Sequence, residues 1–352
     1  MPRVFAWAVT LLASALLIAT LISLVDSDIW WLQALSFPRI GALILIGIVM
    51  IGAVPVRGAW RGALFIMLIA SAALQLWRVY PYTALAPVEV VKARASSGSR
   101  DPSCFTVLGL NVYQHNRNYA ATRALIEREQ PDILLLMETD QPWIDALTPA
   151  LTSYSARLLR PIDNTYGLVF ASRLPVTSMR TENITDRDTP TVYARLSTRD
   201  GQPFDYVGLH PRPPLPGQDT TLRDRKIEHA ALRIADNHVP AIAMGDFNDV
   251  AWSRTTQLFK QVGGYLDPRI GRGSYPTFPS SIAPIGWPLD QMFVSRSFTF
   301  RSLRVLEDVS SDHRPLSAQL CLKATAGVRS RNAALDPVTD NARDAARAMA
   351  ER

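Results

Sequence analysis

Val4 to Val25 runs for twenty-two residues without a charged side chain. At about 1.5 Å of rise per residue, a helix of that length covers the roughly 30 Å of a hydrocarbon core. A chain carrying it is not one uniform water-soluble globule. A cleaved signal peptide is the competing assignment, but its apolar stretch would run only about 7 to 15 residues and end in small residues at a cleavage site. This run is longer and ends Val25-Asp26-Ser27-Asp28. Ile40 to Val56 and Ala63 to Trp77 are two further apolar runs, each rather short until its flanking aromatic and arginine residues are counted as interfacial anchors. Trp30, Trp31, Trp60, Trp77, Tyr80 and Tyr82 fall where an aromatic belt would lie. Buried helices of a soluble domain are the plain alternative, and three such runs in succession would need a great deal of covering surface. Residues 1–82 are therefore expected to form a transmembrane region with about three helices.

Three spans place the two chain ends on opposite sides. Arg3 precedes the first span and Arg57 and Arg61 occupy the second loop, whereas the first loop opens with Asp26 and Asp28. The positive-inside tendency then puts the amino terminus and second loop in the cytoplasm and everything after Tyr82 outside it. Arg39 and Arg78 run against the pattern. The expected location is the inner (cell) membrane, with the lipid bilayer as partner and the following domain on its extracytoplasmic face.

Charge excludes little. The first 82 residues hold five arginines against two aspartates, +3 of the formal +6, and the remainder carries 32 basic against 29 acidic residues. A near-balanced count argues against a strongly cationic nucleic-acid groove.

Residues 83–102, with Ser96-Ser97-Gly98-Ser99, read as a polar tether. From Cys104 short apolar runs alternate with helical ones. Strands are expected at Phe105–Val112, Asp132–Glu138, Tyr166–Ser172, Thr191–Ser197, Phe204–His210, Val239–Asp246, Leu289–Ser295 and Leu316–Leu322. Helices are expected near Tyr119–Glu129 and at Leu222–Asp236, the latter with Leu222, Ile227, Ala230, Ala231 and Ile234 as its apolar stripe. Many strands and few helices indicate a layered α/β domain over residues 103–323. The tail, 324–352, is alanine-rich and charged and reads as disordered or as a frayed helix.

The strong apolar runs finish in polar residues able to bind metal or move a proton: Asn111, Glu138, His210, and Asp246 with Asn248. Carboxyl ends of strands in a layered α/β fold gather at one rim, so residues far apart in sequence meet there. Taken singly, a Glu ending a strand is more often a solvated boundary, and Asp290 or Asp312 beside a strand or turn often just caps backbone donors. Six such places coincide here. Arg212, Arg223, Arg225 and Lys226 have the chemistry to contact phosphate, but a charged helix face is usually only solvated, and they are left out of the expected site.

The ordered set Asn111, Glu138, His210, Gly245-Asp246-Phe247-Asn248, Leu289-Asp290-Gln291-Met292-Phe293 and Ser311-Asp312-His313-Arg314-Pro315 resembles the endonuclease/exonuclease/phosphatase superfamily, which includes deoxyribonuclease I, apurinic endonucleases, neutral sphingomyelinases and inositol polyphosphate 5-phosphatases. The likeness covers roughly Phe105 to Leu322. It implies a deoxyribonuclease I-like two-sheet α/β sandwich, here preceded by the three-helix transmembrane segment, with the site at one end. After Asp290 the family commonly has His or Tyr, and Gln291 departs from that. The membrane-spanning start, His210-Pro211-Arg212-Pro213-Pro214 and Thr277-Phe278-Pro279 look like bacterial membrane-anchored members.

The resemblance implies a divalent-metal-dependent phosphoric ester hydrolase acting on phosphodiesters, with a nucleic acid or a phospholipid headgroup as substrate. Asn111, Glu138 and Asp312 offer the hard oxygens that Mg²⁺ or Mn²⁺ prefers. Asp246 would orient or deprotonate the attacking water and Asn248 would hold it or a phosphoryl oxygen. Asp290 would pair with His313, fixing its tautomer and raising its proton affinity, while His210 donates to the phosphate from the other side. The family's terminal strands lie close together, so Cys104 and Cys321 are expected within disulfide reach, which an oxidising exterior would permit. The alternative function is a non-catalytic membrane scaffold or receptor that keeps the fold; it would expect losses among these residues, and the set is complete. A transporter has too few spans and no intramembrane charge to recommend it.

Overall fold

The computed structural model describes residues 3–58, 60–93, 101–185, 188–235, 239–323, 325–335 and 337–351. The amino-terminal region contains α1 (Arg3–Ile22), the short α2 (Trp30–Ala34), α3 (Arg39–Ala53) and α4 (Arg61–Val79). Val4–Ile22 and Arg61–Tyr82 are long and apolar enough to cross a membrane, whereas α3, at 15 residues, is shorter. α1, α3 and α4 pack around Ala13, Ile46, Val49, Leu64 and Leu68, while Leu11, Ile18, Ile51, Ile66 and Ile69 face outward. At one end of the bundle the buried Arg39 guanidinium donates to Ser23 Oγ at 3.2 Å, to the Ser23 carbonyl at 3.1 Å and to Gln75 Oε1 at 2.8 Å. The ends of α1 and α4 and the start of α3 therefore lie together.

The domain that follows runs β1 (Cys104–Asn111), α5 (Tyr119–Glu129), β2 (Ile133–Met137), α6 (Gln141–Leu151), β3 (Ala156–Arg160), β4 (Leu168–Ser172), β5 (Val176–Asn183), β6 (Pro190–Ser197), β7 (Pro203–Leu209), α7 (Thr221–Ala235), β8 (Ala241–Asp246), α8 (Arg254–Val262), β9 (Asp290–Val294), β10 (Phe298–Val305) and β11 (Leu316–Leu322). One sheet has the order β10-β11-β1-β2-β4-β3 and the other β5-β6-β7-β8-β9. Central strands are apolar on both faces because both faces are covered. Phe105 and Val107 of β1 enter the core between the sheets, and Leu108 and Leu110 pack under α5 and α6 with Trp143 and Leu147. On the second sheet Val207, Ala243 and Phe293 pack outward beneath α7 and α8, where Ile227 and Phe259 meet them. The result is the expected two-sheet sandwich with helices on its outer faces.

Every expected strand is present, and β3, β5 and β10 are additional. All three are edge strands. Edges are polar on their open side, which leaves sequences such as Ala156-Arg157-Leu158-Leu159-Arg160 without a strong apolar pattern. Cys104 and Cys321 are register partners on β1 and β11 and form a disulfide, the proximity that the resemblance implied.

Two segments differ from expectation. The first half of the expected tether is docked on the domain: Val90 is buried, Glu89 pairs with Lys260 and accepts from the Asp267 N–H at 2.8 Å, and the Ala93 N–H donates to the Phe300 carbonyl at 2.8 Å. The serine-rich part, 94–100, lies outside the described residues. The tail forms α9 (Ala326–Arg329) and α10 (Asp340–Glu351), and α10 packs on α7 and α8 through Ala342, Ala345, Ala346 and Met349. Small side chains at helical spacing let two backbones approach closely, so few large apolar residues are needed.

Candidate functional site

The sheet topology explains why the polar strand ends meet. β1 is parallel to β2 and β7 is parallel to β8, so Asn111, Glu138, His210 and Asp246 all emerge at one rim. β9 and β11 run antiparallel to their neighbours and begin where those strands end. Asp290 is the direct register partner of Asp246, and His313 lies just before β11.

Asp246 is at the centre, buried, and it gathers the rest. Its Oδ2 accepts from Asn111 Nδ2 at 3.1 Å and lies 3.7 Å from His210 Nε2 and 3.6 Å from His313 Nε2. Its Oδ1 accepts from the Asn248 N–H at 2.8 Å. Asn111 Nδ2 also donates to Glu138 Oε1 at 2.8 Å, and the Gln114 N–H donates to Glu138 Oε2 at 3.1 Å. His313 Nδ1 meets Asp290 Oδ2 at 2.7 Å, and Asn248 Nδ2 donates to the Pro211 carbonyl at 3.0 Å. Ser311 Oγ donates to the Asn111 carbonyl at 2.7 Å and accepts from the His313 N–H at 3.1 Å, fastening the Ser-Asp-His segment to β1.

Backbone conformation sets these directions. Glu138 and Asn248 both sit at positive φ, +63° and +48°, a region that non-glycine residues enter at some cost. Gly245, at φ +151°, has no alternative, because a Cβ there would stand 1.9 Å from the Leu209 carbonyl oxygen.

The two imidazoles have opposite electrostatics. Burial pushes His210 down to about 4 despite Asp246, so it is neutral at pH 7. Burial also opposes the charge on His313, but Asp290 and Asp246 outweigh it and raise His313 to about 10. The site thus holds one cationic and one neutral ring. Burial raises the Glu138 carboxyl, with Asp246 and Asp312 adding to it, and burial likewise raises Asp312.

Among the described residues no three His, Cys, Asp or Glu side chains form a ready-made metal cage. The oxygen donors nevertheless fit a hard cation. Glu138 and Asp312 are carboxylates, Asp312 adding to the raised proton affinity of Glu138, and the Asn111 amide meets Glu138 through its Nδ2 while its Oδ1 accepts from the Tyr113 N–H at 3.0 Å; Mg²⁺ typically takes only one or two carboxylates and keeps its waters.

Two supporting residues were hidden in the sequence, and a third, Phe278, stood in the Thr277-Phe278-Pro279 segment without a role. Arg223 and Lys226, read there as a solvated face, are 1% and 0% exposed. Arg223 Nη1 donates to the Asn248 carbonyl at 3.2 Å, and Lys226 Nζ donates to the His210 carbonyl at 3.1 Å. The ring of Phe278 lies 4.8 Å from that of His313. Gln291, the departure from the family pattern, turns away from the site: it accepts from Arg269 Nη2 at 2.7 Å and donates to the Asp249 carbonyl at 2.8 Å.

Fold and site define a phosphoester-hydrolase type of architecture, and the family model for the Endonuclease/Exonuclease/phosphatase family matches residues 108–313. The chain belongs to that family. Among solved structures, an endonuclease/exonuclease/phosphatase family protein from Bacteroides thetaiotaomicron is 17% identical with a TM-score of 0.52, covering 62% of this chain and 98% of its own. A mannosyl-6-phosphatase from the same organism is 18% identical with a TM-score of 0.51, over 62% and 100%. TDP2 of D. rerio, complexed with a single-stranded DNA product, is 14% identical with a TM-score of 0.52, over 62% and 99%. No curated protein sequence matches the chain.

Proposed function

We propose that the chain is a membrane-anchored, divalent-metal-dependent phosphoesterase that hydrolyses phosphodiester bonds of a nucleic acid or a phospholipid headgroup. The observation that carries the reading is the Asp246 carboxylate with Asn111, His210 and His313 disposed around it. A Mg²⁺ or Mn²⁺ ion held by Glu138, Asn111 and Asp312 would supply Lewis-acid polarisation of a phosphoryl oxygen. Asp246, surrounded by these donors, orients the attacking water and accepts its proton, while Asn248 holds the water or a phosphoryl oxygen. His313, kept cationic by Asp290 and Asp246, presents its Nε2 proton to the developing negative charge. His210 is neutral and offers a single N–H from the opposite side. The neighbours differ in what their names print, a mannosyl-6-phosphatase and a complex with a single-stranded DNA product, so the substrate reading rests on this chain's own placement.

That placement supports a membrane setting. The loop between α1 and α3 docks beside the site: the Trp252 indole donates to the Ser36 carbonyl at 2.8 Å, and Phe37 packs edge-on against Trp287 at 5.6 Å. The outward apolar side chains of α1, α3 and α4 suit contact with lipid. The arginine distribution and the Cys104–Cys321 disulfide favour the extracytoplasmic face. The test is turnover by the full chain in detergent, with Mg²⁺ and with a chelator, on bis(p-nitrophenyl) phosphate, plasmid DNA and phospholipid vesicles. Metal-dependent turnover of at least one is expected, and no turnover of any phosphate ester would sink the reading.

A further inference from the structure

Between the helix bundle and the catalytic domain lies a cavity of about 470 Å³ that contains none of the site residues above. Its bundle side is formed by Ser23, Arg39 and Arg78, and its domain side by Arg254, Gln257 and Lys260. Two carboxylates line it as well, and both are engaged: Asp26 pairs with Arg254, and Glu89 pairs with Lys260. Arg39 and Arg78 are left without a carboxylate partner among the described residues. Arg39 is 2% exposed, is met only by the neutral oxygens of Ser23 and Gln75, and has a buried Nε with no partner. The Nε of Arg78 is likewise buried and unpartnered, and its guanidinium lies 4.7 Å from the Trp77 ring. Arg39, removed from water without a counter-charge, and the half-buried Arg78 face one cavity, and a buried charge without a counter-charge favours an anion beside it.

The position of the cavity selects the anion. Arg39 opens α3 and Arg78 closes α4, so both lie at the domain-side end of the bundle, where Trp77, 64% exposed, is a belt residue. Val25, on the cavity wall, exposes apolar surface at the same level. We infer that this cavity binds the phosphate of an anionic phospholipid of the surrounding leaflet, held between Arg39 and Arg78. Guanidinium matches phosphate geometry with paired N–H donors, and the neighbouring apolar surface accommodates an acyl chain. This inference rests on the membrane reading of the bundle, but not on the chemistry of the catalytic site.

The experiment uses the full chain released from micelles containing either phosphatidylglycerol or phosphatidylcholine, with bound lipid counted by native mass spectrometry. Retention of phosphatidylglycerol over phosphatidylcholine is expected. Arg78→Gln should lower phosphatidylglycerol occupancy about fivefold, the factor expected for one cationic side chain at a membrane surface, and Arg39→Lys should also lower it by removing the fork of donors. Both variants should hydrolyse a soluble phosphodiester at the wild-type rate, which reports an intact fold. Equal retention of the two lipids, wild-type occupancy in Arg78→Gln, or displacement of the lipid by millimolar inorganic phosphate would each overturn the assignment. Release of the chain from membranes by a carbonate wash would instead remove the membrane reading, and the lipid site with it.

Discussion

Asp290 holds His313 through Nδ1 at 2.7 Å, and the opposite ring nitrogen of His313 lies 3.6 Å from the Asp246 carboxylate. One imidazole is thereby fixed between two buried carboxylates, one on each nitrogen. A ring in that position stays charged well above the ordinary histidine range, to about 10.

Asp290→Asn tests this pairing. The variant keeps the volume but removes a negative charge, so the proton affinity of His313 should fall and the alkaline limb of kcat should move down from near pH 10 toward the ordinary value of about 6.5. The rate at pH 7 should drop by about 10²-fold or more, the scale of a lost positioned acid. The same pair sets a stability profile. Because the folded-state value is raised, its contribution is complete below about pH 6.5 and is lost as the pH rises through about 10. Denaturant melts at pH 7 and pH 10 should show that loss in the wild type and much less of it in His313→Gln. A wild-type alkaline limb retained in Asp290→Asn would refute the assignment.

Glu138 carries the metal prediction. Its carboxyl is raised by burial, with Asp246 and Asp312 adding to the shift, so protons compete with a cation for it over a wider range than usual. Mg²⁺ affinity, measured by calorimetry, should weaken as the pH falls toward 5. Glu138→Gln should raise the half-saturating Mg²⁺ concentration about tenfold or more, with activity partly regained at high metal. Unchanged metal dependence in this variant would remove Glu138 from the ligand set.

Much of this candidate site was legible because four of its residues end strong apolar strands, and a strand end in a layered fold has a predictable place. Asn111, Glu138, His210 and Asp246 were visible in that way, and Asp290 and His313 through the family likeness. Arg223 and Lys226 were not, because a helix face reads as solvated unless the neighbouring element is known. The Asn248 and His210 carbonyls that they serve lie just past the ends of β8 and β7, and no local pattern announces such a contact. The packing of α10 was missed for a related reason: Ala342 and Ala346 bury little area each, so the helix looks unattached until α7 is placed beside it.

Gly245→Ala probes the strand-end geometry itself. The added methyl would lie 1.9 Å from the Leu209 carbonyl oxygen, at a φ of +151° that L-residues rarely adopt. The backbone carrying Asp246 must shift, so a stability loss of about 3 kcal/mol or more and loss of turnover are expected together. A melting temperature and kcat both close to wild type would show that the turn is less constrained than its contacts indicate.

The disulfide joins residues 217 positions apart, closing nearly the whole two-sheet domain. Replacing Cys104 and Cys321 together by serine should lower stability by about 2 to 5 kcal/mol while leaving turnover at 25 °C intact, since neither sulfur is near Asp246. Thermal melts of the wild type with and without reductant, beside the double variant, check this. Identical melts would mean that the bridge contributes nothing.

Arg223 joins the loop after β8 to the segment between α1 and α3. Its Nη1 donates to the Asn248 carbonyl, its Nη2 lies 3.2 Å from Gln33 Oε1, and it pairs with Asp224 at 2.7 Å and Asp249 at 3.6 Å. Removing the charge would strand two buried carboxylates, and Arg223→Ala is expected to lose about 3 to 5 kcal/mol. Arg223→Lys separates positioning from stability. Lysine retains the charge for Asp224 and Asp249 but lacks the fork that reaches Asn248 and Gln33 at once. The expected outcome is a folded protein whose kcat falls about tenfold with KM little changed, because Asn248 loses its fixed orientation rather than its contact with substrate. Arg223→Lys with wild-type kcat would show that the charge alone suffices and that Arg223 does not position Asn248.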